Sequence, residues 1–188
     1  AAQQEDLFVS GHRACHGCGM ALSVRHILKA TGKDVIVVTP TGCLETFTSP
    51  YGHSPWRVPW IHHLFENGPS IATGVAAALR AQNRDTTRVV GIGGDGSTFD
   101  IGFGALSGML ERGDDVLYIC VDNGAYMNTG GQRSGATPLY AATSTHPAGK
   151  ISTGKGEMKK NIPMIVAAHG IPYVATASVA YVKDLQKK

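Results

Sequence analysis

Two apolar runs, each followed by a polar loop that contains glycine, dominate the hydrophobic pattern of this chain. Residues 87–92 (TRVVGI) lead into GGDGS at 93–97, and residues 116–121 (VLYICV) lead into DNGAYMN at 122–128. The stretch 103–112 between them has a helical pattern. The order strand, loop, helix, strand, loop predicts one βαβ unit with parallel strands. Both loops are then expected at the carboxyl edge of the sheet, where α/β proteins bind ligands.

The rest of the pattern predicts a single α/β domain over residues 1–188, with a central parallel sheet and helices on both faces. Its further elements are predicted, in chain order, as a helix at 20–31, a buried strand at 35–38, a helix from about 66 to 81, a helix at 159–170, a strand at 172–175 and an amphipathic helix at 178–188. The last helix runs to Lys188 without a glycine stop, so we expect the chain to be truncated at its carboxyl end.

Three stretches show no regular period. Residues 1–10 are interpreted as a lead-in arm, and 46–63 as a loop rich in proline, aromatic residues and histidine. The histidines of that loop have no further ligand at metal-binding spacing and are expected to be loop or interface residues. The stretch 127–155 has few apolar residues, and a loop of that length in a compact domain is usually functional or bound to a partner.

Composition narrows the class of protein. Of the 188 residues, 43% are hydrophobic and only 16% are charged, which suggests that much of the surface is buried against partner chains. The net charge of +3 comes from scattered basic residues rather than from a stripe that would bind nucleic acid. The first ten residues lack the apolar core of a signal peptide, and no apolar run reaches membrane-spanning length. We therefore expect a cytoplasmic protein whose four cysteines stay reduced and serve metal or core roles.

The two loops of the βαβ unit carry a carboxylate and a carboxamide. Asp95 and Asn123 lie 28 positions apart, and each follows a predicted strand. A hard divalent cation such as Mg²⁺ takes oxygen ligands, often from one or two carboxylates together with substrate phosphates. Asp95 offers a charged oxygen, Asn123 a neutral one, and the backbone carbonyl of Ala125 could offer a third. The pattern therefore predicts a metal site at this edge of the sheet.

The glycines around Asp95 raise a second interpretation. Gly94 and Gly96 would let the backbone approach a diphosphate, and the N-terminus of the following helix favours the anion. The run GIGGDG at 91–96 also matches the dinucleotide-binding pattern G-x-G-x-x-G. Because Asp95 inside that loop would repel a pyrophosphate unless a metal lay between them, the metal interpretation is favoured. A plain glycine turn with a capping aspartate leaves Asn123 unexplained.

Three cysteines lie in glycine-rich turns. Cys15 and Cys18 form a CxxC turn, and Cys43 comes 25 positions after Cys18, next to Gly42 and after a predicted strand. The residues alone leave open a redox pair, a zinc knuckle and an iron–sulfur ligand set, although three such cysteines suit a cluster better than a disulfide. Cys120 falls inside a predicted strand, where cysteine most often acts as a small buried hydrophobe.

The GDG at 94–96, with an asparagine 28 positions after its aspartate, resembles the thiamine diphosphate signature. The longer text GDGSTFDIGFGALSGMLERGDDVLYICVDNGAYMNTGGQRSGATP resembles the β subunit of pyruvate:ferredoxin oxidoreductase and its 2-oxoacid relatives, and the similarity runs from about Ser10 to the end. The resemblance implies a thiamine-diphosphate-binding fold, here the half that binds the diphosphate.

The resemblance also implies roles for individual residues. Mg²⁺ would be held by Asp95, Asn123 and the main-chain oxygen of Ala125, and Asn128 would face the thiazolium C2 and the substrate. Cys15, Cys18 and Cys43 would bind a 4Fe–4S cluster close to the thiamine. The remaining expected cofactor contacts are Gly42, Cys43, Gly94, Gly96 and Ser97.

The activity implied is oxidative decarboxylation of a 2-oxoacid, by default pyruvate, to acyl-coenzyme A and CO₂, with single electrons passing through the cluster to ferredoxin. A pyrimidine-binding α subunit and a ferredoxin-like subunit would complete the complex. The chain departs from these relatives in two places. Their fourth cluster cysteine lies well downstream, whereas the only further cysteine of this chain is Cys120. Met20 stands where many relatives carry glutamate. The alternatives are a non-oxidative thiamine decarboxylase or carboligase, which leaves the three cysteines without a role, and a non-catalytic interaction module stabilised by zinc.

Overall fold

The computed structural model describes residues 5–84 and 86–188 and has a four-stranded sheet at its centre. All neighbouring strands are parallel, in the order β2-β1-β3-β4. The strands are β1 (Val35–Pro40), β2 (Trp60–His63), β3 (Arg88–Gly94) and β4 (Val116–Val121). The helices are α1 (Gly19–Thr31), α2 (Cys43–Thr48), α3 (Gly68–Ala81), α4 (Phe103–Glu111), α5 (Ile162–Ala167) and α6 (Val182–Lys187), and a π-helix (Gly96–Ile101) joins β3 to α4.

The two faces of the sheet each carry a buried core. Alternate residues of a strand point to opposite faces, and Val37 packs with α1 while Val38 packs with α3 and α4. In the same way, Val90 of β3 lies in the first core and Val89 lies in the second. The α/β fold with helices on both faces is therefore confirmed.

The strand register brings three loops to one edge of the sheet. Gly94 at the end of β3 pairs with Val121 at the end of β4, and β1 lies on the other side of β3. The residues that follow β1, β3 and β4 consequently emerge side by side at the carboxyl edge. The predicted βαβ unit is confirmed, with α4 as its helix.

The stretch 46–63 is more regular than its composition predicts. It contains half of α2 and all of β2, although β2 has only four residues, of which Ile61 is exposed. Its strand conformation comes from pairing with β1, where Val38 lies opposite Ile61, and from the Trp60 indole, whose Nε1 donates to Thr39 Oγ1 at 2.9 Å. A strand that depends on its neighbour in this way carries no periodic signal of its own.

Part of the predicted lead-in arm belongs to the core. Residues 1–4 lie outside the described part of the chain, but Leu7 and Phe8 are buried. Phe8 forms an isolated antiparallel bridge with Trp56, and the two rings meet edge to face at 5.0 Å. The arm interpretation is therefore wrong for these residues, which close one end of the first core.

The carboxyl-terminal elements are shorter than predicted. The helix expected at 159–170 spans only Ile162–Ala167, and it begins there because the Asn161 side chain caps it by accepting from Met164 N. The strand expected at 172–175 is wrong: these residues are irregular, and Tyr173 is exposed. A β-rich sequence becomes a strand only where a ladder receives it, and no strand of the described chain pairs with this one. Within residues 5–84 and 86–188, no helix combines the length and the apolar character needed to cross a membrane.

Candidate metal centre and cysteine site

Three oxygen-bearing groups converge where β3 and β4 end. One end of the Asn123 amide lies 3.0 Å from Asp95 Oδ1 and 2.9 Å from the carbonyl oxygen of Ala125. Both neighbours are acceptors, so without a cation this end of the amide is the nitrogen, which donates to both. The sheet register creates the arrangement, because Asp95 directly follows Gly94 and Asn123 lies two residues after Val121.

The spacing of these groups fits a small divalent cation. Adjacent oxygen ligands of octahedral Mg²⁺, each about 2.1 Å from the ion, lie about 3 Å apart. Turning the Asn123 amide by half a rotation brings its oxygen to face the same point as Asp95 Oδ1 and the Ala125 carbonyl. The three groups could then hold Mg²⁺ together.

The carboxyl group of Asp95 is buried beside a hydroxyl group and near a second carboxylate. The residue is only 2% exposed, and the Ser134 hydroxyl donates to its Oδ2 at 2.5 Å. Burial raises the pKa of Asp95, the hydrogen bond from Ser134 lowers it, and the charge of Asp122 raises it again, so that the pKa lies above its ordinary value. A bound divalent cation would favour the charged form of such a carboxylate.

The loop after β3 is built around a π-helix, a form that recurs at functional sites. The Tyr126 ring packs against Gly96, where it occupies the space of a side chain, and the Tyr126 hydroxyl donates to Asp100 Oδ2 at 2.7 Å. The Ser97 hydroxyl is buried and donates to the Gly94 carbonyl at 3.0 Å. Any contact of Ser97 with a diphosphate would therefore come from its backbone N–H.

A turn at 134–137, which sequence analysis missed, touches both halves of the metal centre. Ser134 reaches Asp95, and the Thr137 hydroxyl donates to the carbonyl of Gly124 at 2.5 Å. The turn is closed by the Ser134 N–H, which donates to Thr137 Oγ1 at 3.0 Å. The available signal was a Ser-x-x-Thr pattern before Pro138, which is typical of turns but carries no functional meaning.

The three predicted cluster cysteines interact electrostatically. Burial raises the pKa of Cys43, the negative charge of ionised Cys18 and Cys15 raises it further, and the Asn123 amide lies beside the thiol. The Cys18 N–H donates to the Cys15 carbonyl at 3.0 Å and closes the CxxC turn. All four cysteines of the chain are free thiols in the described structure. Cys43 follows Gly42 at the start of α2 and faces Asn123, so the cysteine site adjoins the metal centre.

Cys120 has different surroundings. It lies in β4 beside Phe99 and Ile162, and burial raises its pKa to about 12, partly offset by a hydrogen bond with Thr98. A thiol with such a pKa stays protonated, whereas a metal ligand is a thiolate. Among residues 5–84 and 86–188, no group of three or more His, Cys, Asp or Glu side chains is arranged around a single metal ion. A four-iron cluster makes no such demand, since each of its irons takes one protein ligand.

Asn128 lies at the open side of the site. It is exposed and lines the same groove as Asn123, Cys15, Cys18 and Cys43. The groove therefore connects the predicted substrate-facing residue with both the metal centre and the cysteines. Met20, by contrast, is buried with α1 in the first core.

Comparison with known proteins identifies the family. The thiamine pyrophosphate enzyme, C-terminal TPP binding domain, matches residues 40–188. The chain belongs to this family. The match covers the loops that carry Asp95, Asn123 and Asn128, and it decides against a dinucleotide-binding interpretation of the glycines at 91–96.

Similar proteins are subunits of enzymes that act on 2-oxoacids. The chain is 54% identical over 185 residues to pyruvate synthase subunit PorB of Methanothermobacter thermautotrophicus, which is 98% of this chain and 64% of that protein. It is 47% identical over 189 residues to ketoisovalerate oxidoreductase subunit VorB of Pyrococcus abyssi, which is 98% of this chain and 61% of the relative. The chain thus spans less than two thirds of the length of these relatives.

A solved structure shares the fold. It is a 2-oxoglutarate:ferredoxin oxidoreductase from Magnetococcus marinus with 2-oxoglutarate, coenzyme A and succinyl-CoA bound. The TM-score is 0.77 at 27% sequence identity, and the match covers 94% of this chain and 57% of the other. The parallel sheet with helices on both faces is therefore the fold of a thiamine pyrophosphate enzyme.

Proposed function

We propose that this chain is the thiamine-diphosphate-binding part of the β subunit of a 2-oxoacid:ferredoxin oxidoreductase. The reaction is the oxidative decarboxylation of a 2-oxoacid to acyl-coenzyme A and CO₂, with the electrons leaving one at a time to ferredoxin. The observation that carries the proposal is the spacing of three groups. One end of the Asn123 amide lies 3.0 Å from Asp95 Oδ1 and 2.9 Å from the Ala125 carbonyl oxygen, which is the spacing of adjacent Mg²⁺ ligands. The names of the relatives supply the class of substrate.

The chain contributes the diphosphate end of the cofactor site. Asp95, Asn123 and the Ala125 carbonyl would hold Mg²⁺, and the backbone around Gly94 and Gly96 would receive the diphosphate. Bound thiamine diphosphate supplies a nucleophilic C2 carbon and a ring that takes up the electrons released with CO₂. Asn128 lies at the mouth of the groove, where it orients the substrate.

The three cysteines explain why the decarboxylation is oxidative. Cys15, Cys18 and Cys43 would bind a 4Fe–4S cluster, and Asn123 lies between Cys43 and Asp95. A cluster held there would lie next to the cofactor, as single-electron transfer requires. The fourth ligand lies in the part of the relatives' length that this chain does not match, not at Cys120. A non-oxidative thiamine enzyme would leave these cysteines unused, and a zinc-stabilised module would leave the oxygen ligands unused.

The chain requires a second subunit for activity. Thiamine activation needs a glutamate on the aminopyrimidine, and the two glutamates nearest the site belong to the diphosphate half. Glu45 lies 3.7 Å from His62 Nδ1, and Glu66 precedes α3. A pyrimidine-binding α subunit supplies the missing carboxylate, and a ferredoxin-like subunit, coenzyme A and ferredoxin complete the reaction in the cytoplasm. Pyruvate is the favoured substrate, and branched-chain oxoacids, 2-oxoglutarate and oxalate are the others to be assayed.

The proposal is tested on the complete complex, purified without oxygen. The protein should be brown, with broad absorption near 400 nm typical of an iron–sulfur cluster, and should reduce ferredoxin only when the 2-oxoacid and coenzyme A are both present. A colourless protein with bound zinc would favour the interaction module. Decarboxylation without ferredoxin reduction would favour the non-oxidative thiamine enzyme.

A further inference from the structure

We infer that Ser134 is a positioning residue for the metal centre: it fixes the orientation of the Asp95 carboxylate, and the turn 134–137 sets the distance between Asp95 and the Asn123 loop. This inference rests on the proposed function, because it takes Asp95 to be the metal ligand. Ser134 touches none of the atoms proposed to bind Mg²⁺, so its influence passes through Asp95.

The direction of the Ser134 hydroxyl proton follows from its partners. Ser134 Oγ lies 2.5 Å from Asp95 Oδ2 and 3.1 Å from the backbone nitrogen of Ala136. The Ala136 N–H can only donate, so the oxygen of Ser134 accepts there and its one proton points to Asp95. A distance of 2.5 Å is typical of a hydroxyl that donates to a charged carboxylate.

Because of this hydrogen bond, the two carboxylate oxygens of Asp95 have different partners. Oδ2 is occupied by Ser134, and Oδ1 is the atom that faces Asn123 at 3.0 Å. Ser134 is fully buried, so bulk water does not reach its hydroxyl in the folded chain. Without it, Oδ2 would lose a partner in a dry site, and the carboxylate could rotate away from the metal position.

The same turn holds the other half of the centre. The Thr137 hydroxyl donates to the carbonyl of Gly124, the residue between Asn123 and Ala125, and it accepts from the Ser134 N–H. One short turn therefore joins an anchor on the loop after β3 to an anchor on the loop after β4.

A buried lysine, Lys155, donates a hydrogen bond to the turn 134–137. Lys155 is fully buried, and its Nζ donates to the Thr137 carbonyl at 2.6 Å and to the Met158 carbonyl at 3.3 Å. The Lys155 backbone is itself fixed, since its N–H donates to Ala141 and its carbonyl accepts from Tyr140. These hydrogen bonds fix the position of the turn, so the spacing of the oxygen atoms in the metal centre is set before a cation binds.

The test measures Mg²⁺ affinity rather than turnover. The complete complex is stripped of cofactor with a chelator, and Mg²⁺ is titrated at saturating thiamine diphosphate while bound cofactor is counted after filtration. Ser134→Ala should raise the Mg²⁺ concentration for half-saturation by about 10- to 100-fold, the usual effect of losing a residue that orients a metal ligand. Thr137→Val, which removes the second anchor with little change in volume, should shift it in the same direction, and Thr137→Ser should restore it.

The matched control is Ser107→Ala. The Ser107 hydroxyl of α4 shares a hydrogen bond of 2.8 Å with Nε2 of His169, which follows α5, and it has no part in the metal centre. This variant should leave the Mg²⁺ titration unchanged. If Ser134→Ala and Thr137→Val also leave it unchanged, the turn is merely structural and the inference is wrong. If the unaltered complex binds thiamine diphosphate without any need for a divalent cation, the proposed function fails and the inference falls with it.

Discussion

The Tyr126 ring occupies the space that a side chain at position 96 would need. A Cβ atom built on Gly96 overlaps the ring edge of Tyr126 and lies 3.1 Å from Phe65 Cζ. The ring is held from two sides, by the hydrogen bond of its hydroxyl to Asp100 and by the edge-to-face contact with Phe65 at 5.8 Å. Glycine at 96 therefore lets the loop after β4 close down on the loop after β3.

Gly96→Ala should lower the free energy of unfolding by about 1–3 kcal/mol, because it overpacks a site that cannot yield. Urea denaturation of the purified chain measures this difference. Gly104→Ala is the control, since Gly104 is exposed in α4 and a Cβ there meets no atom within 4 Å. That change should instead stabilise the helix by about 0.5–1 kcal/mol. Equal effects of the two substitutions would contradict the role of Tyr126.

Asp100 should make stability depend on acid pH. Burial raises the pKa of the Asp100 carboxyl. The Lys160 amine, the Gly135 N–H and the Tyr126 hydroxyl together lower it by more, so the pKa lies below its ordinary value. The folded chain thus binds this proton less readily than the unfolded chain. The stabilisation is full above the unfolded pKa of about 4 and is lost as pH falls through the lower, folded pKa.

The measurement is the free energy of unfolding between about pH 5 and pH 2. Asp100→Asn should flatten the fall in stability over this range, and Lys160→Met should reduce it, since Lys160 makes the largest contribution that lowers the pKa of Asp100. A curve that keeps the same slope in both variants would show that other carboxyls dominate.

Asp95→Ala should abolish Mg²⁺-dependent binding of thiamine diphosphate while the fold stays intact. The change removes the only charged ligand among the three proposed and leaves the diphosphate without a bound cation. The expected loss is at least about 100-fold in cofactor affinity, measured by calorimetry with circular dichroism as the check on folding. Asp115→Ala, at a carboxylate that is 82% exposed beside Arg88, is the matched control. Undiminished affinity in Asp95→Ala would overturn the metal assignment.

Two substitutions in the complete subunit test whether Cys43 or Cys120 is a ligand of the cluster. Cys43→Ala should bleach the cluster absorption and abolish ferredoxin reduction. Cys120→Ala should leave both nearly unchanged and lower stability by about 1 kcal/mol, the cost of deleting a small buried group. Loss of the cluster in Cys120→Ala would mean that the fourth ligand lies in β4 after all.

Cofactor activation should depend on a second subunit. This chain alone should fail to exchange the C2 proton of bound thiamine diphosphate for deuterium, because the carboxylate on the aminopyrimidine is proposed to come from the partner subunit. Addition of the pyrimidine-binding subunit should restore exchange, as followed by NMR after acid quench. Full exchange by the isolated chain would refute the division of the site between two subunits.

The local pattern was sufficient to predict the centre of the fold. The runs before Asp95 and Asn123 are apolar and β-rich, the stretch between them has helical spacing, and parallel strands place successive loops at one edge. These are short-range regularities, so the sequence by itself determined the βαβ unit, the meeting of Asp95 with Asn123 and the cysteine turns near them.

Only the tertiary structure decided what depends on contacts between distant residues. Ile61 belongs to a strand because β1 is there to pair with it, whereas Tyr173 lies in no strand because the described chain offers it none. Phe8 is core because Trp56 covers it. Ser134 acquires its place from a carboxylate 39 positions earlier, through a loop without any period. Such contacts leave no periodic trace in the chain, since each depends on where the rest of the fold places its partner.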